Sequence, residues 1–247
     1  LKIIICFFFV FLLMIVSINY KMDPGKVYSE HFKSTGTENM SLIGFINKLV
    51  HSDNGIIMKS DIWNERDIAH TLASYPTNAE CAVFGSSQVQ KISSLSTKKS
   101  LIKTCNSLIN LGLPGGVIED YVALSKKILE NKKPPKIIVI GIHPYSLNLS
   151  RDSRWLRHKK DFTIMMNKIM TTSETVSKTF HKTDSYNIAL LKNLINIDYF
   201  MTSIDLLVSK SDRSIELAND FDYNLGLDHE VILPDGSTIY PNEYIKK

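Results

Sequence analysis

Ala82-Val83-Phe84-Gly85-Ser86-Ser87 is an apolar run that breaks abruptly into a glycine and two serines. The same grammar returns twice, in Asn110-Leu111-Gly112-Leu113-Pro114-Gly115-Gly116 and in Ile137-Ile138-Val139-Ile140-Gly141-Ile142-His143. Short apolar runs bounded by turn residues are the signature of strands buried on both faces. Strands are therefore expected at residues 81–85, 107–111 and 137–141. One helix is expected from about Gln88; another, over residues 118–130, opens at Gly115-Gly116, is capped by Asn131 and stops before Pro134-Pro135. Strand, helix, strand, helix, strand predicts an α/β fold, a three-layer α/β/α arrangement around a parallel sheet. Ligands of such sheets bind beyond the carboxyl ends of the strands, so a serine, a glycine turn and His143 should meet on one rim.

Residues on either side fill out the domain. Apolar residues at helical spacing predict helices over 40–49 and 61–73, the second ended by Pro76-Thr77-Asn78. Residues 151–215 form a helical insertion, broken near Thr171-Thr172-Ser173 and His181-Lys182-Thr183. Residues 232–239 read as a C-terminal hairpin around Pro234-Asp235-Gly236. Three parallel strands are fewer than the roughly four to six usual in a sheet. The sheet is therefore expected to be completed by sequence beyond Lys247.

Residues 3–18 are apolar apart from Ser17, with Phe7, Phe8 and Phe9 at their centre. The stretch is a little shorter than the roughly 20 residues of a spanning helix, and Asn19 and Tyr20 suit the interface that follows. A cleaved signal peptide is the rival, but Val16-Ser17-Ile18-Asn19 offers no small-residue cleavage site. The expected organisation is a membrane anchor over 1–20, a polar linker over 21–39 and an α/β domain over 40–247, held outside the cytoplasm. Cys81 and Cys105 pair only if their strands are neighbours; otherwise they are small buried hydrophobes, the reading favoured by sequence alone.

A net charge of +4 with dispersed lysines and no aromatic-basic interleaving gives no reason to propose nucleic acid as partner. Arg151, Arg154, Arg157, His158, Lys159 and Lys160 form one basic cluster around Trp155. It reads either as a surface for an anionic envelope polymer or lipid headgroups, or as a solvated helix face. No cluster has metal-ligand spacing, and no cofactor is expected.

Gly85 permits a tight turn, and a serine after it lies where free backbone N–H groups hold a developing oxyanion. Ser86 and Ser87 equally suit a helix cap. Gly115 brings an N–H close to a reacting carbonyl where a side chain would obstruct it, or simply makes a turn.

Gly-Ser-Ser after the first strand, Asn-x-Gly-x-x-Gly after the second and an apolar third strand ending in glycine resemble the SGNH (GDSL-like) hydrolase superfamily. The nearest flavour is its envelope-anchored branch, with teichoic-acid D-alanine transfer and alginate O-acetylation proteins. The likeness spans residues 79–148 and implies a flavodoxin-like fold. It also implies Ser87 as nucleophile, Gly115 as oxyanion glycine, and an acyl ester of cell-envelope carbohydrate or lipid as substrate. Ser86 stands where Asp is common in the family. His143 stands in the place of an asparagine, either as an N–H donor or as a rim residue without a catalytic part. The family's Asp-x-x-His base motif is not found; Asp228-His229 is adjacent and precedes the hairpin. An Asp/His pair beyond this segment is the expected base, and a catalytically inactive binding or scaffold protein of the envelope is the alternative.

Overall fold

The computed structural model describes residues 2–24, 28, 41–58, 63–95, 105–147, 152–171, 183–208, 215–218 and 229–240. Most of the expected linker, Arg151 and Asp228 lie outside the described residues.

The parallel sheet forms as its apolar runs require: β2 (Cys81–Gly85), β3 (Leu108–Gly112) and β4 (Ile137–Gly141) in the order β3-β2-β4. The chain leaves β2, pairs on one side as β3, crosses through α4 (Ile118–Leu129) and pairs on the other side as β4. Ala82, Phe84, Ile109 and Leu111 point to the main core, against Ile68, Ala69 and Leu72 of α3 (Glu65–Ser74) and Leu124 and Ile128 of α4. Asn64 caps α3 by accepting the Arg66 N–H at 2.8 Å. The helix α2 (Leu42–Val50) adds Phe45, Ile46 and Leu49 to the same core.

The opposite face differs from expectation. No helix begins at Gln88. Residues 86–91 descend in successive turns, closed by Val89 N–H to Ser86 C=O at 3.0 Å and Ile92 N–H to Val89 C=O at 2.9 Å. Three glycines in register explain this descent. Gly85 pairs with Gly112 on one side and Gly141 on the other. Val89 lies on all three, so close that a Cβ on Gly85 or Gly112 would come within 2.7 or 2.9 Å of its methyl groups. Asn110 holds the same segment from β3. Its amide donates to the carbonyls of Val89 (2.7 Å) and Ile92 (2.8 Å), and its oxygen accepts the Gly112 N–H (2.8 Å).

A second sheet, absent from the sequence reading, is antiparallel in the order β5-β1-β6-β7. The expected hairpin supplies β6 (Glu230–Ile232) and β7 (Thr238–Ile239); β1 (Ile56–Met58) and β5 (Ile215–Leu217) complete it. Its turn docks on the first sheet. Asp235 accepts from Ser93 Oγ (2.6 Å) and the Ser94 N–H (2.9 Å), while its carbonyl takes the Asn110 N–H (2.6 Å). Cys81 and Cys105 form a disulfide across neighbouring strand starts, with Cα atoms 5.9 Å apart, which corrects their reading as free thiols. Asn131 does not cap α4; it donates instead to the Ala73 carbonyl of α3 at 2.7 Å.

The helical part comprises a 3-10 turn (Arg154–His158) running into α5 (Lys159–Thr171), then α6 (Thr183–Leu194) and α7 (Ile197–Val208). The N-terminal helix α1 (Lys2–Met22) packs against α6 and α7 along one face, where Ile15, Asn19 and Asp23 are buried at four-residue intervals. Asn19 donates to the Leu194 carbonyl at 2.9 Å and accepts from Ser203 Oγ at 3.1 Å.

Truncating buried Asn110 leaves the Ile92 carbonyl and the Gly112 N–H without their partner and takes one of two donors from the Val89 carbonyl. Asn110→Ala should therefore cost about 2–4 kcal/mol, read as a lowered urea midpoint in detergent with an unchanged slope.

Candidate functional site

The three motif-bearing loops end side by side. Leu113 donates its N–H to the Gly85 carbonyl at 2.9 Å, so the glycine turn begins against the end of β2. A Cβ on Gly116 would stand 2.9 Å from that same carbonyl. Tyr121, near the start of α4, donates to the Gly116 carbonyl at 2.9 Å and lies 3.3 Å from Ser146 Oγ. Ser146 in turn donates its N–H to the His143 carbonyl at 2.8 Å. The turn after β3 and the turn after β4 are thereby fastened to one another through a buried phenol. No motif in the sequence singled out Tyr121 or Ser146 for this part.

The two serines separate by burial. Ser86 is 2% exposed and Ser87 is half-buried, so Ser87 is the one that reaches solvent on the rim. Gly115 adopts φ +62°, the left-handed region that disfavours side chains. Its missing Cβ faces the Arg154 guanidinium at 2.8 Å and the Asp152 carboxylate at 3.0 Å. His143 is half-buried, its ring 4.2 Å from that of Tyr145. The Tyr145 N–H approaches His143 Nδ1 at 3.4 Å. His229 is exposed just before β6 and is not part of this rim by any described contact.

The glycine turn is held from outside by charge. Arg66, fully buried, makes a bidentate pair with Asp120 (2.8 and 2.9 Å) and approaches Asp152 at 3.4 Å. Asp152 binds Arg154 at 2.6 Å, and Arg154 donates to the Pro114 carbonyl at 3.0 Å. Burial alone would raise the Asp152 carboxyl, but hydrogen bonds from Arg154 and the Arg66 charge hold it below the usual range. Of the basic cluster seen in the sequence, Arg154 is thus folded inward and Arg157 binds Asp67 at 2.6 Å. Trp155 is buried against Phe162. Both arginines are committed to ion pairs within the fold.

His70, His158 and Asp161 place their ligand atoms within 4.8 Å of one another, a grouping the sequence carries as the His158-x-x-Asp161 spacing. Its geometry suits packing better than a cation. Both Asp161 oxygens are taken by ammonium groups, Lys126 at 3.0 Å and Lys127 at 3.3 Å. The two imidazoles stack face to face, 3.5 Å apart and 7° from parallel, instead of converging. Neither His70 nitrogen has a hydrogen-bond partner. Burial first, then the neighbouring His158 and Lys127, pushes its pKa down to about 2.

Comparison of the chain with protein-family models, with curated proteins and with solved structures finds no match.

His70 gives a pH signature. The unfolded imidazole takes up a proton near pH 6.5 and the folded one not until about pH 2. Across that interval the unfolded state binds more protons, so stability falls on acidification by up to about 1.4 kcal/mol per pH unit. Between pH 7 and 5, above the carboxylate range, urea midpoints should drop for the native chain and less steeply for His70→Leu.

Proposed function

We propose that the chain is a membrane-anchored SGNH-like serine esterase or acyltransferase acting on acyl esters of cell-envelope carbohydrate or lipid. The observation that carries this reading is the position of half-exposed Ser87 at the carboxyl end of β2, the strand flanked by β3 and β4. A chain that pairs first to one side of a strand and then to the other opens a crevice at that strand's carboxyl end, where ligands of open α/β sheets bind. The β3-β2-β4 order is that of the first three strands of a flavodoxin-like sheet, which supports the family resemblance of the three motifs.

Ser87 Oγ attacks the ester carbonyl and yields its proton to the Asp/His pair that the resemblance implies. The Ser87 and Gly115 N–H groups, which donate to no other described residue, stabilise the tetrahedral oxyanion, and His143 Nε2–H adds a third donor. Collapse expels the alcohol and leaves an acyl-Ser87, which water or a sugar hydroxyl then attacks. The Asp120-Arg66-Asp152-Arg154 chain keeps the Gly115 turn in its left-handed form.

The anchor reading is supported by α1, which is long and apolar enough to cross a membrane and mostly exposed. Cleavage near residue 20 would cut through a packed junction. Asn19 caps α6 carbonyls there, and Asp23 accepts from Tyr199 at 2.7 Å. The Cys81–Cys105 disulfide supports a domain outside the reducing cytoplasm.

Two measurements test these readings. A fluorophosphonate probe should label the full-length protein, Ser87→Ala should abolish labelling, and Gly115→Ala should slow turnover by about 10²–10³-fold while the serine remains reactive. Absence of labelling, with Ser87→Ala complementing a null strain fully, would replace the enzyme by the scaffold alternative. Separately, the protein should stay in the membrane fraction after a high-salt wash, whereas a soluble product beginning near residue 20 would overturn the anchor.

A further inference from the structure

The α6–α7 pair lies against the apolar helix and leaves its own aliphatic residues uncovered. The register of α7 on α1 follows from two side-chain bonds. Tyr199 Oη donates to Asp23 at 2.7 Å, and Ser203 Oγ donates to Asn19 at 3.1 Å. Four residues forward on α7 match four residues back on α1, so the helices are antiparallel. One further turn sets Leu207 level with Ile15, which is buried on the same α1 face. Four residues of helix rise about 6 Å. The last turn of α7 therefore sits that far inside the apolar stretch, measured from Asn19.

The outward surface of α7 fits such a depth. Ile197, Met201, Ile204 and Val208 recur at helical spacing, and Val208 is 76% exposed. Asp198, Thr202 and Asp205 occupy a separate strip of the same helix. On α6, Leu191 is likewise 62% exposed. A helix with one apolar stripe and one polar strip lies in a membrane interface with its apolar side about 5–10 Å deep. The α6–α7 pair is also tied to the domain, because Asn193 donates to Ser153 Oγ at 2.5 Å.

We propose that the α6–α7 pair is a membrane-docking element whose aliphatic stripe, with Met201 and Val208, is covered by the acyl chains of the leaflet into which α1 inserts. The occupant is lipid because α7 packs along the mostly exposed apolar helix α1 and runs into the same depth. This rests on the anchor reading. Its consequence is positional: the domain is held by α1 and a second contact, so it cannot swing freely on its anchor, and the Ser87 rim keeps a fixed attitude to the bilayer.

The test uses the full chain in phosphatidylcholine vesicles, with an environment-sensitive fluorophore on one cysteine at a time. Native Cys6, the exposed free thiol of α1, reports on the anchor. With Cys6→Ser, Met201→Cys or Val208→Cys reports on the stripe, and Asp198→Cys on the polar strip. Labels at 201 and 208 should lose most of their emission to a doxyl lipid and little to aqueous iodide, with the label at 198 showing the reverse. If the Cys6 label is quenched by lipid while those at 201 and 208 are quenched by iodide, the docking element fails and the anchor stands. A Cys6 label insensitive to lipid brings down the anchor and the docking element together. Labels at 201 and 208 shielded from both quenchers, in a particle of dimer mass, would assign the stripe to a second copy and overturn the proposal.

Discussion

The seat of Val89 on Gly85, Gly112 and Gly141 is the contact on which the rim depends. Three side chains are missing from one row across the sheet, and one isopropyl group fills the space. A larger residue at any of the three would meet Val89 below van der Waals distance and lift residues 86–92 off the strand ends. Burial of Ser86 and partial exposure of Ser87 both follow from that descent. Asn110 then adds a second donor to the Val89 carbonyl and satisfies that of Ile92, and Asp235 holds the following serines. The turn that presents Ser87 is fixed by packing from one side and hydrogen bonds from the other, as a preorganised group requires.

The charged chain from Asp120 to Arg154 has a different rationale. Buried ion pairs return little net stability, because desolvation offsets their attraction. What this one supplies is direction: a bidentate Arg66–Asp120 fork fixes a planar guanidinium, whose Nη2 also reaches Asp152, and Arg154 links Asp152 to the Pro114 carbonyl. Gly115 could relax toward ordinary backbone angles were that carbonyl free to rotate. The same logic accounts for Tyr121, whose hydroxyl links two turns that share no backbone hydrogen bond.

The strands of the parallel sheet were legible because burial on both sides writes an uninterrupted apolar word into the sequence, and the termini of β2 and β4 fall where that word ends. The antiparallel sheet was not. Its strands β1 and β5 are three residues each, and their partners lie far away along the chain, so no local period betrays them. The segment after Gly85 misled for a related reason. Its apolar residues Val89 and Ile92 have helical spacing, yet a glycine row makes a tighter path more favourable than a helix. The basic cluster was legible as charge but not as location, since Asp67, the partner of Arg157, comes from α3, and Arg66, which orients Asp152, comes from the same distant helix. For the candidate site, the sequence located the three loops; the residues that fasten them, Tyr121 and Arg66, carry no motif and emerge only from packing.

Among the described residues, exposed aliphatic surface around α1, α6 and α7 and that at β4 call for different cover. Around α1, α6 and α7 the exposed residues lie on convex helix faces, which fluid acyl chains cover without directional bonds. At β4 the situation is otherwise. Ile137, Ile138 and Ile140 are exposed on both faces of a strand paired along one edge only. An edge strand ordinarily carries polar or charged residues on its open side to discourage further pairing. The continuous aliphatic run of β4 is instead that of an interior strand, although no described residue pairs with its outer edge. A single added strand would satisfy that edge and leave both faces wet. The exposed faces of β4 thus ask for cover on two sides and along an edge, where the convex helices around α1 ask for it on one.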